Sequence, residues 1–198
     1  RRQMGISFLL IDMKSPGITV EPIITMDQPK PGFQEINTIY FEDVQVPKEN
    51  LVGEEGKGWT YAKYLLEFER GNAHSPGLYE TLNQVEGMAR ETQSGAGALF
   101  DDSDFRDRFN ELKIQTMAME ATEMRILGSL SAGQNVGPES SLLKTRGSEI
   151  GQAISELAGE VAGYYGLPLD QSVPLDDDDF VPVGPTHFNG VSQKYFNL

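Results

Sequence analysis

The hydrophobic period of this chain changes once, near Gly56, and that change constrains the fold more than any other feature. Before it, breakers crowd the sequence: Pro16-Gly17, Pro22, Pro29, Pro31-Gly32, Pro47 and Gly53. Short β-rich runs lie between them at 6–11, 18–24 and 37–46. The apolar residues of 6–11 are contiguous, which predicts a strand buried on both faces. The third run alternates through Ile39, Phe41, Val44 and Val46 and ends at Pro47, which cannot donate to a sheet ladder.

Beyond Gly56 the spacing becomes helical. Trp59, Ala62, Leu66, Glu69 and Ala73 follow one another at intervals of three and four, with Leu65 and Phe68 beside them. Pro76-Gly77 is expected to interrupt or bend this helix, which resumes over 78–91. Asp101-Asp102-Ser103-Asp104 offers N-cap residues for the next helix. There Phe105, Leu112, Met119 and Ile126 recur every seven residues, with Phe109 and Leu130 on the same stripe. Met117, Met119 and Met124 read as core filling. Gly137-Pro138 opens a further helix carrying Leu143, Ile150, Ile154, Leu157, Val161 and Tyr165. The expected class is α+β: part of a small antiparallel β-domain over 1–55, then an antiparallel helix bundle over 56–198. The segment after Phe188 reads as the start of a fourth helix.

One residue breaks the pattern on the first helix. Glu69 sits inside the apolar arc, where a carboxylate is costly to bury unless it is paired, protonated or used. It reads either as a proton-transferring base or as a salt-bridged glutamate at an interface. Glu67, by contrast, shares the opposite face with Lys63 and Arg70 and reads as a solvated ion-pair partner.

Composition excludes several alternatives. The chain has 198 residues and a formal net charge of −14, so binding to phosphate backbones by a general basic footprint is excluded. The absence of cysteine removes disulfides, thiolate metal sites and cysteine nucleophiles, and permits a cytoplasmic setting. The two histidines, His74 and His187, make no triad with a serine elbow. The acidic run at 176–179 lacks the alternating ligand spacing of a calcium loop, and no metal site is expected. The sequence opens at Arg1-Arg2-Gln3 and stops within a pattern at Phe196-Asn197-Leu198. It therefore reads as a piece of a longer protein, with a short natural protein as the alternative.

A series of motifs then acquires a meaning. Gly5-Ile6-Ser7-Phe8-Leu9, Phe41-Glu42-Asp43-Val44-Gln45-Val46-Pro47, Asn50-Leu51-Val52-Gly53, Gly56-Lys57-Gly58-Trp59 and Glu69-Arg70 resemble the acyl-CoA dehydrogenase family in the same order. The segments from Asp104-Phe105-Arg106 and from Gly137-Pro138-Glu139 are similar to the branch that includes pimeloyl-CoA dehydrogenase large subunits and steroid side-chain dehydrogenases.

The resemblance implies an FAD-dependent enzyme that takes the α-proton of an acyl-CoA thioester while the β-hydrogen leaves as hydride to flavin. It implies Glu69 as that base and Arg70 as support for the substrate pocket. It further implies an electron-transfer flavoprotein-like acceptor, a homo- or hetero-tetramer, and a last bundle helix beyond this sequence. Gly95-Ala96-Gly97-Ala98-Leu99-Phe100-Asp101-Asp102 departs from the family stretch that helps hold flavin, so no FAD ligand is assigned, and the 198 residues alone are expected to hold little FAD. The alternative is a non-catalytic subunit or assembly scaffold in which Glu69 is a structural ion pair.

Overall fold

The computed structural model describes residues 3–23, 36–69, 73–134, 137–166, 185 and 188. Arg70, His187, the acidic run at 176–179 and the expected fourth helix lie outside them. The described residues form two compact units, one ending at Glu69 and the other beginning at Ala73.

In the first unit, β1 (Ile18–Pro22) pairs antiparallel with β2 (Asn37–Phe41), with Ile18 opposite Phe41 and Pro22 opposite Asn37. The pairing runs past Pro22, where Ile23 donates its N–H to Ile36 O at 2.8 Å. Gly17 adopts φ 89° beside β2, where an added Cβ would fall 2.1 Å from the Glu42 carbonyl oxygen. Only glycine allows that approach.

Two sequence expectations change here. The run 37–46 stops as a strand at Phe41, because Asp43 takes the left-handed conformation (φ 49°) and turns the chain out of the ladder. The run 6–11 is not buried on both faces. It meets 50–52 along one side, through a Leu9–Leu51 bridge and hydrogen bonds between Val52 N and Phe8 O and between Leu10 N and Asn50 O. Ile6, Leu9 and Leu10 remain exposed among the described residues.

The first helix, α1 (Gly58–Glu69), also belongs to this unit. Pro76 does not bend it: a separate helix, α2 (Ser75–Glu91), begins just beyond, with the proline in its first turn. Proline is tolerated there because its missing N–H would have no intrahelical acceptor anyway.

The second unit contains α2, a two-residue β3–β4 hairpin (Gln93–Ser94 and Gly97–Ala98), α3 (Ser103–Ser131) and α4 (Glu139–Ala162). Asp102 caps α3 by accepting a hydrogen bond from Phe105 N at 2.9 Å. The helices run antiparallel in chain order. Ser75 meets Glu123 and Tyr79 meets Glu120 across α2 and α3, while Arg108 meets Glu160 across α3 and α4.

The core is built from Leu78, Leu82 and Val85 of α2, Phe105, Phe109 and Leu112 of α3, and Ile150, Ile154 and Leu157 of α4. Phe100 packs its edge against Phe109, with ring centroids 5.3 Å apart. The Arg90 guanidinium lies 4.2 Å from the Phe100 ring centroid. Gly147 is buried under His74 and Met119, where an added Cβ would lie 3.0 Å from the His74 ring.

Of the three methionines expected in the core, Met119 is buried, whereas Met117 and Met124 are exposed at 56% and 60%. They lie on the face of α3 turned away from α2 and α4. Tyr165 is also exposed, because α4 gives way to a tight turn at Gly163–Gly166 before the expected stripe reaches it. Among the described residues, no helix is long and apolar enough to cross a membrane.

Phe109 is fully buried at the meeting point of the three helices. Phe109→Ala is expected to cost about 3–5 kcal/mol of stability, read as a lower urea midpoint for the circular dichroism transition of the chain.

Candidate functional site

Helix α1 is positioned by its first two turns. Gly58 donates its N–H to Ile6 O at 2.8 Å, and an added Cβ would lie 2.5 Å from the Ser7 carbonyl carbon. The backbone of 6–8 therefore packs directly on the helix start. Ser7 Oγ accepts from Gly56 N at 3.0 Å, and the Tyr61 hydroxyl accepts from Glu54 N at 3.0 Å. The Tyr61 ring lies over Gly53, whose φ of 68° makes the turn into the helix.

Coverage along α1 is partial from its start, where Trp59 is 44% exposed. Gly58 is buried and Tyr61 and Ala62 are half-buried, while Tyr64, Leu65 and Leu66 are exposed at 58%, 57% and 39%. Glu69, the last helical residue, is exposed. Its carboxylate thus ends an exposed apolar helix face within this unit. Arg70 lies outside the described residues, so its relation to Glu69 is left to the proposal below.

A second glutamate, not singled out from the sequence, has the more specialised environment. Glu123 of α3 is 4% exposed. Its Oε1 accepts from the backbone N–H groups of His74 at 2.7 Å and Ser75 at 3.1 Å, and its Oε2 accepts the Ser75 hydroxyl at 2.5 Å. The first N–H groups of a helix have no partner within it, and the aligned peptide dipoles favour negative charge there. Glu123 thus caps α2 from a neighbouring helix.

Beside it, the Tyr79 hydroxyl donates to Glu120 at 2.8 Å. Burial raises the Tyr79 pKa, reinforced by that hydrogen bond and by the charges of Glu120 and Glu123. The His74 Nε2 is buried with no hydrogen-bond partner among the described residues. The signal for Glu123 was available: it lies four residues after Met119 and three before Ile126, on the core stripe of α3.

The Gly95–Asp102 segment, where the resemblance would place contacts to FAD, has a different task. Gly95 turns the hairpin at φ 63°, Asp101 accepts from Ala98 N at 3.3 Å, and Phe100 is drawn into the bundle core under Arg90. Arg90 is also paired with Glu86 at 2.6 Å. These side chains are committed to closing the bundle, so the described residues of this segment do not fit a role in holding flavin. Between α3 and α4, Arg108 and Glu160 make a bidentate pair at 2.7 and 2.6 Å. That hydrogen bonding raises the Arg108 pKa and keeps the guanidinium protonated.

The two glutamates separate cleanly by experiment. Glu123→Leu leaves two helix-start N–H groups and a hydroxyl without an acceptor and is expected to cost about 1–3 kcal/mol. Glu69→Gln, at an exposed position, is expected to stay within about 0.5 kcal/mol. Thermal unfolding of the two variants beside the parent chain checks both.

The family model described as "Acyl-CoA dehydrogenase, C-terminal domain" matches residues 56–176. The chain is 29% identical over 171 residues to the acyl-CoA dehydrogenase FadE29 of Mycobacterium tuberculosis, covering 85% of this chain and 42% of that protein. A crystal structure of an acyl-CoA dehydrogenase from Geobacillus kaustophilus aligns with a TM-score of 0.78 at 20% identity, over 98% of this chain and 47% of that one. A structure of PigA with FAD and proline aligns with a TM-score of 0.74 at 19% identity, over 98% and 46%. The chain spans less than half the length of each of these relatives. The matched segment holds α1 and the whole of the α2–α4 bundle, more than half of the chain, and on that ground the chain belongs to the acyl-CoA dehydrogenase family.

Proposed function

We propose that this chain is part of an acyl-CoA dehydrogenase that introduces an α,β double bond into an acyl-CoA thioester, with Glu69 as the base that takes the α-proton. The observation that carries the reading is the family match, which starts at Gly56 and runs through the helix bearing Glu69. The local geometry supports the base assignment. A base must come within hydrogen-bond reach of the proton it removes, and the exposed end of α1 leaves the Glu69 carboxylate accessible. Leu65 and Leu66, on the same face of α1, offer the apolar surroundings in which a bound acyl chain excludes water. Removing a carboxylate from water strengthens it as a base.

Arg70, next in the chain, is proposed to support the substrate pocket through its fixed positive charge and takes no part in proton transfer. FAD is the cofactor proposed for the whole protein, and the presence of FAD with PigA supports it. No residue of this chain is assigned to it, because Gly95–Asp102 serves the bundle core. The proposed assembly is a homo- or hetero-tetramer passing electrons to an electron-transfer flavoprotein-like acceptor, in the cytoplasm. The proposed organisation keeps 1–55 as the end of the β-domain and 56–198 as bundle, with a last helix supplied beyond it.

Glu69→Gln in the full-length flavoprotein tests the reading. Turnover is expected to fall by about 10²–10⁴-fold while the flavin absorbance of the purified protein is retained. Near-normal turnover would remove Glu69 as the base. It would favour the second reading, an assembly subunit in which Glu69 is an ion-pair partner, for which the exposed position of Glu69 also leaves room.

A further inference from the structure

A tight turn leads the chain into α1, and a side chain of the helix itself closes that turn. Gly53 and Gly56 carry φ of 68° and 75°, conformations that favour glycine, and they bring the backbone round from Val52 into the helix. Tyr61, in the first turn of α1, reaches back across it. Its hydroxyl accepts the Glu54 N–H at 3.0 Å, and its ring lies so close over Gly53 that an added Cβ would overlap it. The Lys57–Glu54 ion pair at 3.6 Å spans the same turn, but both of its side chains are exposed and such pairs contribute little.

These contacts bear on where the helix points. Gly58 is held by the Ile6 carbonyl, and a rod held at one place still swings. Tyr61 supplies a second place, on the turn. The buried and half-buried side chains of α1 lie at its start, at Gly58, Tyr61 and Ala62, whereas those of 63–67 and of Glu69 are exposed. Glu69 lies eight residues beyond Tyr61 in the same helix, a rise of about 12 Å. A swing of about 5° at the helix start therefore carries the end by about 1 Å, and a misplacement of that size at a reacting group can cost about 100-fold in rate.

We infer that Tyr61 is a positioning residue for the proposed base: by tying α1 to the Gly53–Glu54 turn, it sets where the Glu69 carboxylate stands. The inference rests on the reading of Glu69 as that base. Tyr61 lies two turns away from Glu69 and acts through the helix, with no part in proton transfer. Tyrosine suits the task because its ring packs on the glycine while its hydroxyl accepts an N–H, and phenylalanine would do only the first. The hydrogen bond is exposed, so a Glu54 N–H released from it turns to water and stability changes little. Placement and stability can therefore be read separately.

Tyr61→Phe and Tyr61→Ala in the full-length flavoprotein test this beside Glu69→Gln. Turnover is counted per bound flavin, on whichever of butyryl-, octanoyl- and palmitoyl-CoA the parent enzyme uses fastest. Tyr61→Ala is expected to lower kcat by about 100-fold, and Tyr61→Phe, which keeps the ring on Gly53, by about tenfold. KM is expected to stay within about twofold. The isotope effect from the α-deuterated substrate is expected to rise, because removal of the α-proton becomes the slow step. Tyr61→Phe differs from the parent by one oxygen atom and carries the test even where Tyr61→Ala does not fold. A side chain that only held the fold would lower the fraction of protein carrying flavin, with turnover per flavin and isotope effect as in the parent. That result, with Glu69→Gln inactive, would overturn the positioning role alone. Near-normal turnover of Glu69→Gln would remove the base, and the positioning role with it.

Discussion

The bundle depends on one buried carboxylate. Glu123 brings a negative charge into the interior and meets no cation among the described residues. Its partners are two backbone N–H groups and a hydroxyl at the start of α2. Both sides of this contact would be costly alone: a buried carboxylate without donors, and a buried helix start without acceptors. Together they fix the register of α2 on α3. With Ser75 held at Glu123, Tyr79 one turn later meets Glu120 one turn earlier, and Leu82 and Val85 join the same buried core as Phe105, Phe109 and Leu112. Gly147 completes the arrangement by letting α4 approach His74 and Met119 where a side chain would hold it off.

The same reasoning, applied to two glutamates, shows how far sequence reading reaches. A carboxylate at helical spacing among apolar residues signals a special environment. On α1 the signal picks Glu69, and the structure leaves it exposed because the packing that covers Gly58, Tyr61 and Ala62 runs out before the last turns. On α3 it would have picked Glu123, which is buried and fully partnered. Periodicity identifies the arc on which a residue lies. Only the length of the neighbouring element decides whether that arc is covered at a given turn. The seven-residue repeat of Phe105, Leu112, Met119 and Ile126 was legible because α3 and α4 run side by side for most of their length.

The β region was less legible for a related reason. Its breakers located β1 and β2, but strand ends follow single-residue conformations, as at Asp43, whose positive φ follows the end of β2 at Phe41, six residues before the proline that seemed to end it. Burial of a contiguous apolar run such as 6–11 depends on layers packed over both faces, and among the described residues Ile6, Leu9 and Leu10 stay exposed. The family resemblance held through all this because its motifs lie at turns and helix starts. At Gly53 and Gly58, close approaches to Tyr61 and Ser7 exclude a side chain.

Periodicity also does not say which arc of a helix is covered. Met117 and Met124 recur seven residues apart, as the core residues of α3 do, yet both are exposed. Met119, between them, is buried because it lies on the stripe that packs into the bundle core.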